Sequence, residues 1–148
     1  MAIDNDTDFK AALSKLTLAQ QRQLAARFTD NVLALCNDVR VAGAVNAAKR
    51  PDITAVELAA LYQAVKSSCI NSYTQCGHEG NWADQAGHFV AKAAMACVAP
   101  TTNTVNLAWG AAMDARMART CATIAAGEGT VNREADAQYR ILEQYLNR

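Results

Sequence analysis

Residues 81–129 read NWADQAGHFVAKAAMACVAPTTNTVNLAWGAAMDARMARTCATIAAGEG. This stretch decides the fold class, because it encodes two alanine-rich helices joined by a proline loop. Asn81 is a favoured N-cap type, and Trp82 to Val98 carries no breaker except Gly87. Trp82, Ala86, Phe89, Val90, Ala93 and Cys97 fall on one face at i, i+3, i+4, i+7 spacing. Asp84, His88, Lys92 and Met95 fall roughly opposite. Pro100 ends this helix, since proline lacks the N–H and disfavours helix in the residue before it. Thr104 offers a cap for a second helix over Val105 to Ala126. Its large apolar stripe is Trp109, Met113, Met117, Cys121 and Ile124. A second stripe, Ala111, Ala115, Ala118 and Ala122, lies beside it. Large residues on one arc and alanines on the next predict a helix packed on two sides, with one neighbour close. Gly127 and Gly129 stop it.

Working outward, residues 1–6 read as loose. Thr7 caps a short helix over Asp8 to Lys15, and Thr17 a longer one carrying Leu24, Phe28, Val32, Leu35 and Val39 on one face. Val41, Val45 and Ala48 are out of phase with that stripe, which places a break between Asn37 and Gly43. Arg50-Pro51-Asp52 is a stop. Thr54 and Glu57 form a capping box for a helix over Ala55 to about Gln75. Its stripe is Leu58, Tyr62, Val65, Cys69 and Tyr73. Asn132 caps the last helix, Arg133 to Leu146, with Ala135, Leu142, Tyr145 and Leu146 inward. Asp136, Arg140 and Glu143 face outward, Arg140 in reach of Asp136. No strand pattern and no linker appears. The expected fold is all-α, a single-domain bundle of about five or six helices.

At 148 residues, one domain is large enough to bury about two-thirds of its unfolded surface. Hydrophobic residues are 51% of the chain, but alanine supplies much of that share, so the core is numerous rather than bulky. Lys plus Arg equals Asp plus Glu, 14 each. That balance argues against nucleic acid or a membrane surface as partner. Met1-Ala2-Ile3 leads into Asp4, Asp6 and Asp8 with no signal-peptide pattern, and no apolar run reaches a membrane span. Five cysteines without CxxC spacing read as reduced thiols in a cytoplasmic protein.

Cys76, His78 and Glu79, with His88 ten residues on, carry soft donors suited to zinc, although no cofactor is required for stability. The spacing matches no standard finger, and the plainer reading is a surface-loop histidine and an exposed helix histidine. Asp84 and His88, one turn apart, could orient an imidazole as a general base, but no nucleophile is identifiable. Asp114 projects between the large stripe and the alanine seam. A buried carboxylate must be paired, and its partner must come from another helix. Arg116, Arg119 and Thr123 could form an anion-binding strip, and Trp109 could line a pocket. The competing readings are a solvated face and ordinary core.

His88-Phe-Val-Ala-Lys-Ala-Ala94 followed by Met113-Asp-Ala-Arg-Met-Ala118 resembles the alanine-rich, all-helical immunity proteins of bacterial polymorphic-toxin systems, over residues 55–128 at most. The resemblance implies a protein that binds and neutralises a toxin, and it transfers no site residue. Such proteins are often strongly charged, whereas this chain is neutral. The leading expectation is a non-enzymatic, bacterial, cytoplasmic interaction protein that meets a protein partner or itself, as a homo-oligomer. The alternative is a small-molecule or metal-binding protein using the Cys76–His88 region or a pocket near Trp109 and Asp114.

Overall fold

The structure, a computed structural model, describes residues 2–79, 81–100 and 106–147; side chains at 73–79 lie outside the description. Among the described residues there are seven α-helices, one 3-10 turn and no strand. The order is α1 (Asp6–Ser14), α2 (Leu18–Asp30), the turn (Leu33–Leu35), α3 (Val39–Ala48), α4 (Ala55–Glu79), α5 (Trp82–Cys97), α6 (Leu107–Ala125) and α7 (Glu134–Leu146). The all-α class is as expected, with one or two more helices than anticipated. No helix among these residues is long and apolar enough to cross a membrane.

Local chemistry sets most ends. Thr17 and Gln20 form a capping box at α2, and Thr54 and Glu57 form one at α4. Asn81 accepts from two N–H groups of α5. Gly127, at φ +76°, closes α6: its N–H bonds Ile124 and that of Glu128 bonds Thr123. These two bonds are the Schellman pattern, which needs a left-handed residue. Other caps differ from expectation. Asn5, not Thr7, caps α1, and Asn106 caps α6, while Thr104 lies outside the described residues.

The α2–α3 break falls at residues 31–38, earlier than the Asn37–Gly43 expected. Leu35 and Val39 keep the phase of the α2 stripe, but Asn31 ends α2 and Asp38 caps α3 by accepting from Arg40 N at 2.9 Å. Val39 therefore points into solvent. Gly87 explains how the 3-10 turn packs. A Cβ there would stand 3.3 Å from the Leu35 carbonyl oxygen, so glycine lets the turn press against α5.

α2 and α6 form the middle of the molecule. On one side α3, α4 and α5 close an aliphatic core around Val41, Val45, Val65, Val90, Ala94 and Ala115. On the other, α1 and α7 close an aromatic core around Phe9, Phe28, Leu142 and Tyr139. α6 is packed on two sides, as expected, and its small residues, with Cys121, are the most deeply buried. Ala108, Ala111, Ala112, Ala115 and Ala118 are fully buried, whereas Met117 is 45% exposed and Trp109 and Met113 are half-buried. Alanine faces let the helix backbones approach, and larger side chains are pushed to the shoulders.

The amino-terminal residues, expected loose, are anchored from Ile3 onward. Ile3 is 1% exposed; its N–H donates to Glu143 Oε2 at 2.7 Å and its carbonyl accepts from Arg140 at 2.6 Å. Arg140 therefore reaches Glu143 and Ile3 rather than Asp136, which pairs with Arg133. Leu146, expected inward, is partly exposed, and the inward positions of α7 include Glu134, Gln138 and Tyr139.

Candidate functional site

A polar cleft of about 210 Å³ opens where the 3-10 turn and the start of α3 meet α4 and α5; its walls include Cys36, Asn37, Asp38, Ser68, Ser72 and Asp84. Asp38 accepts from Arg40 Nε at 3.1 Å and Nη2 at 2.9 Å. Those bonds, with one from Ser68, lower its carboxyl to about 2. Burial pushes the Cys36 thiol up, so it stays protonated and is a poor nucleophile.

Beside this cleft the structure supplies a partner for His88. Its Nδ1 lies 2.8 Å from Ser72 Oγ, and Ser72 Oγ donates to the Cys69 carbonyl at 3.0 Å. A hydroxyl has one hydrogen. Both contacts are satisfied when that hydrogen goes to Cys69 and the imidazole donates to Oγ. The His88 ring also bonds the Cys69 backbone, so Ser72, His88 and Cys69 form one local network that ties α5 to α4. The N–H groups at the nearby helix starts are also engaged: Ala83 and Asp84 by Asn81, and Arg40 by Asp38.

His88 was expected on the outer face of α5 and is instead half-buried between α4 and α5. Burial, then the Lys92 ammonium, holds it below its ordinary 6.5. Its folded-state pKa is depressed, so the unfolded chain binds more protons in this range. Stability is therefore lost as pH falls through about 6.5. Urea midpoints at pH 7.5 and 5.5 are expected to fall further for wild type than for His88→Gln.

Cys76, His78 and Glu79 belong to the last turns of α4 rather than to a loop, and their side chains lie outside the description. Among the described residues no group of three His, Cys, Asp or Glu side chains gathers as a metal site.

The remaining candidates are engaged by the chain itself. Asp114 is three-quarters buried, and its partner does come from another helix: Lys92 of α5, at 3.9 Å. Burial raises its carboxyl, and Lys92 opposes that. Arg116 donates to Asp6 at 3.0 and 2.8 Å and to Gln138 Oε1 at 2.8 Å. Its guanidinium lies 5.6 Å from the Phe9 ring centre, 6.0 Å from Trp109 and 5.8 Å from Tyr139. Trp109 packs against Phe9 and carries Lys10 over its outer face. Arg119 donates to Glu134 at 3.0 Å and to the Asn31 carbonyl at 3.2 Å. The expected anion-binding strip thus holds the chain's own carboxylates. Asp6, Glu134 and Gln138 were missed as partners; nothing in their local spacing points to α6.

A second, apolar groove of about 320 Å³ lies where α5 begins and α6 ends, lined by Leu35, Ala83, Ala86, Ala122, Ala125 and Ala126. Trp82, expected in the core, is 43% exposed. It precedes Ala86 by four residues and so shares its face of α5. No protein-family model, curated protein or solved structure matches the chain at a significant level, so its function is argued from these residues alone.

Proposed function

We propose that this chain is a non-enzymatic helical interaction protein that meets a protein partner through the α5–α6 groove. One observation carries the reading. The groove is walled by alanines and Leu35 beside a half-exposed tryptophan, whereas Arg116 and Arg119, farther along α6, are held by Asp6 and Glu134. A shallow apolar surface with one aromatic anchor is the arrangement in which a few residues dominate binding. The likeness to immunity proteins suggests a toxin as partner and the bacterial cytoplasm as setting. A second copy of the chain is the other candidate.

Trp82→Glu tests this. At a half-exposed position in the first turn of α5 it is expected to change stability by less than about 1 kcal/mol. Light scattering over two orders of magnitude in concentration should show whether wild type self-associates and whether Trp82→Glu abolishes it. Pull-downs with the two proteins should show a partner retained by wild type and lost by the variant. A wild type that is monomeric throughout and retains nothing that Trp82→Glu fails to retain would sink the reading.

A further inference from the structure

The third opening in the surface lies between the start of α2 and the α3–α4 corner. It is a cleft of about 180 Å³ with Leu18, Ala48, Pro51, Ile53 and Leu58 in its walls, Arg22 on its inner side and Arg50 at its rim. Arg22 is 5% exposed. Its Nη1 donates to the Cys97 carbonyl at 2.5 Å. Its Nη2 is buried and has no hydrogen-bond partner, and no carboxylate among the described residues forms an ion pair with it. Cys97 offers no counter-charge, because burial pushes its thiol up to about 12. A buried guanidinium without an anion is costly, since desolvation penalises the charge and a bond to one neutral carbonyl returns only part of the loss.

What would complete Arg22 follows from its surroundings. The guanidinium fork matches carboxylate and phosphate. The walls are hydrocarbon, so they suit an acid with an apolar body and suit inorganic phosphate poorly. The cleft holds about 180 Å³, below the ~300–1,000 Å³ typical of sites for drug-sized ligands, so the part of a ligand that reaches Arg22 is small. We propose that this cleft binds a small hydrophobic carboxylate, its acid group on Arg22 and its hydrocarbon body on Ile53 and Leu58. Nη2 is closed to solvent, so the acid must open the wall locally to reach it. Arg50, at the rim, is held by Asp52 and Glu57 and so is already partnered, which leaves Arg22 as the unpaired guanidinium of the cleft. The adjoining surface carries Arg27, with Lys49 beside it paired to Asp30 at 3.2 Å.

The test is calorimetric titration and methyl NMR of the full chain with hexanoate, 1-hexanol and inorganic phosphate. Hexanoate is expected to bind with Kd on the order of 1 mM and to shift the Ile53 and Leu58 methyls. Hexanol and phosphate should bind at least about tenfold more weakly, because each lacks half of the recognition. Arg22→Met should abolish hexanoate binding while its thermal midpoint equals or exceeds that of wild type. Arg133→Gln, which removes an exposed guanidinium paired with Asp136 away from the cleft, should bind as wild type does. If Arg22→Met does not fold, Ile53→Trp fills the cleft with Arg22 retained and should also abolish binding. Failure of hexanoate to bind, equal binding of hexanol, or binding that survives the cleft variants would each overturn the proposal.

Discussion

Arg116→Met is expected to lower the free energy of unfolding by about 3 kcal/mol, measured by urea denaturation at neutral pH. The loss has two unequal parts. Gln138 is fully buried, and its Nε2 is committed to the Ala112 carbonyl. Without Arg116 its Oε1 has lost its donor inside the aromatic core, which is the larger cost. The fork to Asp6 is the smaller part, because Asp6 is half-exposed and such pairs contribute about 1 kcal/mol or less. Asp6→Asn should therefore cost much less than Arg116→Met. Arg116→Lys should recover under half of the loss, since an ammonium cannot bond Asp6 and Gln138 in one plane or lie flat among Phe9, Trp109 and Tyr139. Were Arg116 the open end of a ligand strip, its removal would be nearly neutral.

Ala115→Leu is expected to cost about 3 kcal/mol, at the upper end for overpacking a filled core. Ala115 is fully buried in the same core as Ala91, Ala94, Ala111 and Ala118. Three added carbon atoms can be housed only by moving α6 off its neighbours. Met117→Ala, two residues away, removes a larger side chain and should cost under about 1 kcal/mol, because that side chain is half outside. The order of these two effects identifies the packed face. Near-UV circular dichroism of Ala115→Leu should show loosened aromatic packing only if the displacement of α6 reaches Trp109 and Tyr139.

Features governed by neighbours in sequence were legible. Thr17, Thr54, Asn81, Pro51 and Gly127 mark helix ends because capping, a missing N–H and a positive φ act within a few residues. Features governed by distant residues were not. The α2 stripe ran on through Leu35 in phase, and only the approach of Gly87 shows why the chain leaves the helix before it. Size misled on α6: periodicity ranks methionine and tryptophan above alanine, whereas close helix packing selects the small face. Arg116 and Arg119 read as an open strip because Asp6 is 110 positions from Arg116 and Glu134 lies on another helix. Trp82 fitted the core stripe of α5, but it stands in the first turn and is 43% exposed. Arg22 gave no signal at all, since a lone arginine in a helix is ordinary until its burial is seen.

The clasp of Ile3 between Glu143 and Arg140 joins positions 140 and 137 residues apart, while α5 and α6 are consecutive and pack along their lengths. Chain-closure entropy therefore orders assembly in time: the α5–α6 hairpin has little to lose on meeting, and the two ends of the chain have the most. The clasp is the contact that forms last and opens first, exposing the edge of the aromatic core while the alanine seam is still shut. Because Ile3 already lies against α7, a linker joining the segment before Ile3 to the segment after α7, with a new opening at the Gly127–Val131 turn, would build that slow closure into the covalent chain.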